Sequence, residues 1–329
     1  MSPSLDSTIS AARRHAAAGA WREVAMLLEP CASDRRISGD DALLYAEALV
    51  RSGEQRRALT YLRDVIPGMA GDVDHRTYRK GVNMTGVAAF ALGELDEAKT
   101  ALNIALELAT QDDDPRLLAQ ATNNLGAIAN LEGRYEDALW HYRIALPTLQ
   151  RIGQPRMLAE VYHNLAITCR DTGELDQSDE HERRAIEHAT GGSAPRLVAM
   201  GRIGRAEVAL RRGDAVLAET TARMARDDLA LLDDPQNEAD AWRLVGAACG
   251  AQQRYDEALE ALDSALDIAR ARGYALTEAE TLRDRVSVWM GRGAVAAALD
   301  DARAAIAIFG RLGATRERVA LEQRIAEQG

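Results

Sequence analysis

Cysteine, lysine, proline and aromatic residues are all scarce in this 329-residue chain, and each shortage closes off a class of protein. The three cysteines, Cys31, Cys169 and Cys249, are isolated and odd in number. They form neither a CxxC pair nor a zinc-ligand pattern, and they suit a reducing compartment as buried thiols. Eight prolines are too few for collagen, and 47% apolar residues are too many for a disordered chain. No stretch reaches eighteen apolar residues without a charge, and Met1 to Ser10 has neither a basic n-region nor an apolar h-region. A membrane span and a secretory leader are therefore not expected, and the chain reads as cytoplasmic. Only Lys80 and Lys99 are lysines, so the other 38 of the 40 basic residues are Arg. A high-GC coding bias explains that as well as any selection for guanidinium chemistry. The formal net charge of -11 repels phosphate backbones, which argues against nonspecific nucleic-acid binding by the chain as a whole.

Alanine is what the sequence has in excess. Its 62 copies, about a fifth of the chain, favour helix and exclude an all-β protein. A period of forty residues then runs through the chain: glycine recurs at Gly53, Gly93, Gly133, Gly173, Gly213 and Gly293, Gln253 fills the missing beat, and Gly19 precedes the series by thirty-four. Five residues after each beat the position is almost always Ala, as at Ala58, Ala98 and Ala138; twelve after, Ala105, Ala145 and Ala185 repeat the preference. Seven before, the residue is small, and Gly86, Gly126 and Gly246 stand there despite the roughly 1 kcal/mol that glycine costs within a helix. Close helix packing explains that choice. Apolar residues recur at three and four on both sides of the beat: Leu117, Ala121, Leu125 and Ile128 before Gly133, and Ala138, Leu139, Tyr142 and Ala145 after it. Each unit is a helical hairpin, turned by a residue that tolerates positive φ. Pro115, Pro155, Pro195 and Pro235 mark the first helical positions, with Asp114 and Asp234 as N-caps. The acidic runs ahead of them read as solvated loop ends before they read as a metal site.

The order small residue, Gly-aromatic, Ala, aromatic or Leu, Ala resembles the tetratricopeptide repeat. "NNLGAIANLEGRYEDALWHYRIAL" from Asn123 is a close match, and segments from Asn83, His163 and Arg243 repeat it in register. The forty-residue period resembles the variant found in kinesin light chains and in bacterial Rap-type and PlcR-type peptide sensors. That resemblance implies an all-α, right-handed solenoid of about eight hairpins plus a capping helix at 315–328. Its units fall near 5–36, 37–73, 74–113, 114–153, 154–193, 194–233, 234–273 and 274–312 of a single domain, 1–329. It also implies a non-enzymatic interaction module whose partner is a protein or peptide held in a concave groove. The chain opens directly on a repeat, without space for a helix-turn-helix domain, so direct DNA recognition is not expected.

In the family, residues nine and ten before the turn face the groove. Carried over, these rows contain Asn83, Asn123, Asn124, His163, Asn164, Arg243 and Arg283. An asparagine ladder can hold a peptide backbone through paired donor and acceptor, and the two arginines offer forks for a carboxylate. Internal neutralisation by Asp240, Glu280 and Asp284 is the competing reading. A second row, Arg76, Arg116, Arg156 and Arg196, could form a basic rail for an acidic partner, although interunit pairing is the more economical reading against the helix dipole. None of the six histidines falls in HExxH or beside a nucleophile, and no phosphate-binding glycine loop occurs. No catalytic residue, cofactor or metal site is expected. His181 and His188 read as solvent-facing, and the four tryptophans as packing between helices. Two functions from other classes stay open: a sensor of a peptide or small ligand that changes curvature to regulate a partner, and an accessory resembling the Rap-type proteins, which promote dephosphorylation of response regulators.

Overall fold

The computed structural model describes residues 4–72, 75–312 and 314–326, with the side chains of 70–72 left aside. Gly313 and the last two residues of the expected capping helix lie outside these. Among the described residues there are seventeen helices and no strand. Eight hairpins follow one another: α1 (Leu5–Ala17) with α2 (Trp21–Ser33), α3 (Gly39–Arg51) with α4 (Gln55–Asp72), α5 (His75–Ala91) with α6 (Leu95–Gln111), and α7 (Pro115–Leu131) with α8 (Tyr135–Ile152). Then come α9 (Pro155–Asp171) with α10 (Leu175–Gly191), α11 (Pro195–Arg211) with α12 (Ala215–Leu231), α13 (Pro235–Ala251) with α14 (Tyr255–Arg272), and α15 (Ala275–Arg292) with α16 (Val295–Leu312). A last helix, α17 (Thr315–Ala326), packs on α16 and buries Leu321. The fold is an all-α solenoid. Its helices form two compact units, residues 1–153 and 154–329.

The turn chemistry follows the sequence. Gly133 has φ +74° with no neighbour that a side chain would strike, so backbone conformation alone selects glycine there. Gln253 takes the same left-handed conformation, φ 62°, without glycine's freedom. At the other end of the hairpins, Asp114 accepts hydrogen bonds from the backbone N–H of Arg116 and Leu117, and Asp234 accepts from that of Asn237. These caps satisfy donors that the first turn leaves unpaired.

In three hairpins the residue seven before the turn is glycine, at Gly86, Gly126 and Gly246, and there it is a packing device. A Cβ at Gly126 would come within 2.6 Å of the Tyr142 ring, and one at Gly86 within 2.6 Å of Leu102. Tyr142 and Leu102 are fully buried against the space those glycines leave. Within the first unit α3 contacts α5 and α5 contacts α7; within the second α9 contacts α11, α11 contacts α13 and α13 contacts α15. From α3 to α7 in the first unit and from α9 to α15 in the second, the first helices of successive hairpins therefore touch directly and form one layer. The three cysteines are buried and unpaired with one another, Cys31 in the first unit, Cys169 and Cys249 in the second. Among the described residues no helix is long and apolar enough to cross a membrane.

Two expectations need correction. Trp140 is 58% exposed, and its ring meets that of the adjacent His141 edge-on at a centroid separation of 4.9 Å. His181 and His188 are half-buried: both stack on the buried Tyr162 ring, at centroid separations of 5.9 and 5.4 Å. Two turns of α10 carry them to the same face, where the phenol ring replaces solvent.

Candidate functional site

In the first unit the expected groove positions lie on α5 and α7. Asn83 is half-buried, and its side-chain Oδ1 is buried without a hydrogen-bond partner. An acceptor stripped of water and left unpaired costs about 1–3 kcal/mol. Asn123 is 8% exposed and engaged within the protein, while Asn124 is half-buried. Within one row, Asn123 is thus buried and engaged while Asn83 keeps an unpaired acceptor.

In the second unit the same rows carry charge. His163 on α9 places Nδ1 3.0 Å from the Glu182 carboxylate, and Glu182 is wholly buried. Burial opposes a charge on the ring, but Glu182 prevails and His163 holds its proton more tightly than usual. Burial also raises the Glu182 carboxyl, with His163 opposing. Both shifts favour a proton held between the two side chains. Space for Glu182 comes from Gly204 on α11, where any side chain would collide with the carboxyl. Asn164 is half-buried and has a partner within the protein.

Glu182 was not among the residues singled out from sequence, yet a signal was present. Nine residues after each beat stand Leu28, Leu62, Leu102, Tyr142, Glu182, Ala222, Leu262 and Ala302, and all are buried. One carboxylate in an otherwise apolar row marks a position that packing alone does not explain.

Farther along the unit, Arg243 on α13 is buried, with 7% of its side chain exposed. One guanidinium nitrogen donates to Asp284 on α15 at 2.8 Å, and another to Glu207 on α11 at 3.1 Å. Arg170 on α9 also pairs with Glu207, and Arg283 with Asp284 at 3.0 Å. Four successive first helices are thereby joined by an alternating chain of charges. Burial would raise Glu207, but Arg170 and Arg243 hold it below its ordinary value; Asp284 is likewise lowered by Arg283 and Arg243 against burial. Arg243 thus forms wall, while Arg283, with 29% of its side chain exposed, remains reachable. Asp240 behaves differently. Burial pushes its carboxyl up to about 7, Glu280 and Glu207 add to that, and Arg243 opposes it.

The second arginine row is mostly exposed. Arg196 reaches Asp234, the N-cap of the following hairpin, at 2.6 Å; Arg156 lies 3.6 Å from Glu160 on its own helix; Arg76 is engaged; and Arg116 is exposed. Interunit pairing is realised at Arg196. Among the described residues, no group of three or more His, Cys, Asp or Glu side chains is placed to hold a metal.

Comparison with known proteins meets this geometry. Residues 117–190 match the tetratricopeptide repeat family. Comparison with curated proteins gives no match. Among solved structures, a Rap protein complexed with Competence and Sporulation Factor aligns over 98% of this chain and 96% of its own, at 14% identity and TM-score 0.64. The Rap conjugation gene regulator of the plasmid pLS20, in complex with the Phr* peptide, aligns over 84% and 75%, at 15% identity and TM-score 0.70. The apo form of the quorum sensor NprR from B. thuringiensis aligns over 98% of both chains, at 12% identity and TM-score 0.58. At these identities the likeness concerns fold. Tetratricopeptide repeats are matched at residues 117–190, and the helical fold as a whole is similar to that of those proteins.

Proposed function

We propose that this protein is a non-enzymatic interaction module that captures a peptide or an extended partner segment on the layer of first helices. The observation that carries the reading is Asn83, whose buried acceptor lacks any donor within the protein. It lies on α5 in the layer of first helices, one repeat before Asn123 and Asn124. An extended backbone supplies N–H donors at regular intervals and needs no particular side chain to do so. In the second unit Asn164 and His163 stand at the corresponding positions, each with a partner inside the protein, and the exposed edge of Arg283 takes an acidic side chain or terminal carboxylate. Two of the similar structures contain a bound factor or peptide, which supports the choice of ligand class. Where the positions are exposed, Arg76, Arg116 and Arg156 form a rim that contributes steering more than affinity.

A second reading, ligand sensing, is favoured by the ion chain from Arg170 to Arg283. It links four helices through buried pairs, so a ligand that displaced one pair would shift several helices together.

A random peptide library displayed on phage and panned against the intact chain tests the first reading. Selected peptides should lose at least about tenfold in affinity towards a variant with Asn83, Asn123, Asn124 and Asn164 changed to Ala, provided circular dichroism shows it folded. Equal binding by both chains would refute the asparagine ladder. Scattering measurements with and without the selected peptide then separate scaffold from sensor, because only a sensor compacts on binding.

A further inference from the structure

One second helix, α12, departs from the pattern of its row. Where Glu136, Asp176 and Asp256 stand in α8, α10 and α14, α12 has Val216; where Asp137, Gln177 and Glu257 stand, it has Leu217. Its first turn therefore carries no acidic residue, although the helix dipole favours acids there. Val216, Leu217, Met224 and Leu231 are all exposed, Val216 at 65% and Leu231 at 88%. With Thr220 they fall in an arc of about 100° around the helix axis and extend about 22 Å along it. Single apolar residues scattered on a surface need no explanation, whereas a contiguous apolar stripe marks an interaction site.

The stripe has an acidic edge. Glu219, on the Val216 side of the helix, accepts a hydrogen bond from Arg254 at the start of α14 at 2.6 Å, so that side faces α14. Asp227, the one charge within the arc, is exposed and meets the adjacent Arg226, whose guanidinium lies over the Trp242 ring at 4.5 Å. On the corresponding face of α14 stand Asp256, Glu260, Asp263 and Asp267. Arg292 and Arg285 pair with Asp256 and Asp263, while Glu260 and Asp267 stay exposed. Charge of this sign repels a second copy docked stripe to stripe, and an anionic membrane equally, but attracts a basic partner.

We propose that α12 docks one basic amphipathic helix of a partner protein, its apolar side on Val216, Leu217, Met224 and Leu231, and its Lys or Arg residues along the edge nearest Asp227, Glu260 and Asp267. The stripe offers side chains only, because the backbone of α12 is spent on its own helical bonds. An extended segment would find no main-chain partner there, whereas a helix satisfies its own backbone and packs ridge to groove. A length of about 22 Å matches about fifteen helical residues. The site lies on a second helix, uses none of the asparagines and does not rest on the groove reading.

Two fluorescein-labelled peptides of about eighteen residues, sharing one helical leucine stripe and carrying either lysine or glutamate elsewhere, test the assignment by anisotropy against the intact chain. The lysine helix should bind saturably below about 100 μM, and at least about tenfold more tightly than the glutamate helix. Met224→Ser combined with Leu231→Ser should weaken it at least about tenfold with the helical signal unchanged, since both side chains already face water. A folded chain with Asn83, Asn123, Asn124 and Asn164 changed to Ala should bind it as the intact chain does. No saturable binding, or equal binding by the serine variant or the glutamate helix, would overturn the proposal. Loss in the asparagine variant would place the peptide in the groove and overturn it as well. Self-association in sedimentation velocity that the serine variant abolishes would give the stripe to a second copy instead.

Discussion

Replacing Gly204 with Ala sets two principles against each other with opposite signs. An exposed helical Gly→Ala change stabilises by roughly 0.5–1 kcal/mol, and residue 204 lies well inside α11. Here, however, three atoms of Glu182 lie within 3.2 Å of where the new Cβ would stand. Those atoms belong to the carboxyl group and its Cγ, held in place by His163 and wholly buried. Overpacking costs about 1–3 kcal/mol, and separating a buried ion pair costs about 3–5 kcal/mol when one partner is left uncompensated. Partial rotation of Glu182 preserves some of the pairing, so a net loss of about 2–4 kcal/mol is expected after subtracting the helix gain. For a unit of this size that lowers Tm by about 5–12 °C. Urea titration followed by circular dichroism, beside a Gly68→Ala control, reads the difference: Gly68 is in a helix with no atom within 4 Å of where its added methyl would sit, and should gain stability. Adding Glu182→Ala to Gly204→Ala should recover part of the loss, a coupling that independent sites would not show. If Gly204→Ala stabilises the protein as the control does, the reasoning that Gly204 exists to house a buried carboxyl is refuted.

Further expectations concern charge and backbone. Asp240→Asn should stabilise the chain at pH 8 and have much less effect at pH 5: a carboxyl whose folded pKa is raised to about 7 contributes stability below its unfolded pKa that is lost as pH rises through 7, and the amide removes that dependence. Denaturant midpoints for both chains across that range check it, and parallel curves would contradict it. Gln253→Gly should raise stability by about 1 kcal/mol, because an L-residue at φ 62° pays a penalty that glycine avoids. A lower urea midpoint would show that the Gln253 side chain contributes more than its backbone costs. Arg196→Ala should change stability by no more than about 1 kcal/mol, with a smaller difference in high salt, since the Arg196 side chain is 60% exposed despite its short bond to Asp234.

The architecture was legible because repetition multiplies weak signals. A single glycine says little, but Gly93, Gly133, Gly173 and Gly213 at a fixed interval show where hairpins turn, and the prolines at the same interval show where they begin. Gly86 and Gly126 could even be read as contact points between paired helices, since only a close neighbour offsets their cost within a helix. The charged chemistry of the second unit was harder to see. Arg243 joins Glu207 and Asp284, which lie 36 and 41 residues away, so the partners sit about one repeat apart and look unrelated in local sequence. Glu182 hides for another reason: a glutamate on an amphipathic helix usually marks the wet face, and only comparison along its row reveals that it occupies a core position. Trp140 errs in the opposite direction, since a large apolar ring suggests packing but more than half of this one is exposed.

The buried thiols supply a measurement that requires no engineering. Cys31 belongs to the first unit, and Cys169 and Cys249 to the second. Burial raises the latter two thiols, so in the closed fold they are poor nucleophiles as well as shielded ones. Alkylation by a thiol-directed reagent therefore proceeds only through opening of the helices around each sulfur. Peptide mapping of the modified cysteines over time would give a separate opening frequency for each half of the chain, and a ligand seated in one half would slow its own clock while leaving the other running.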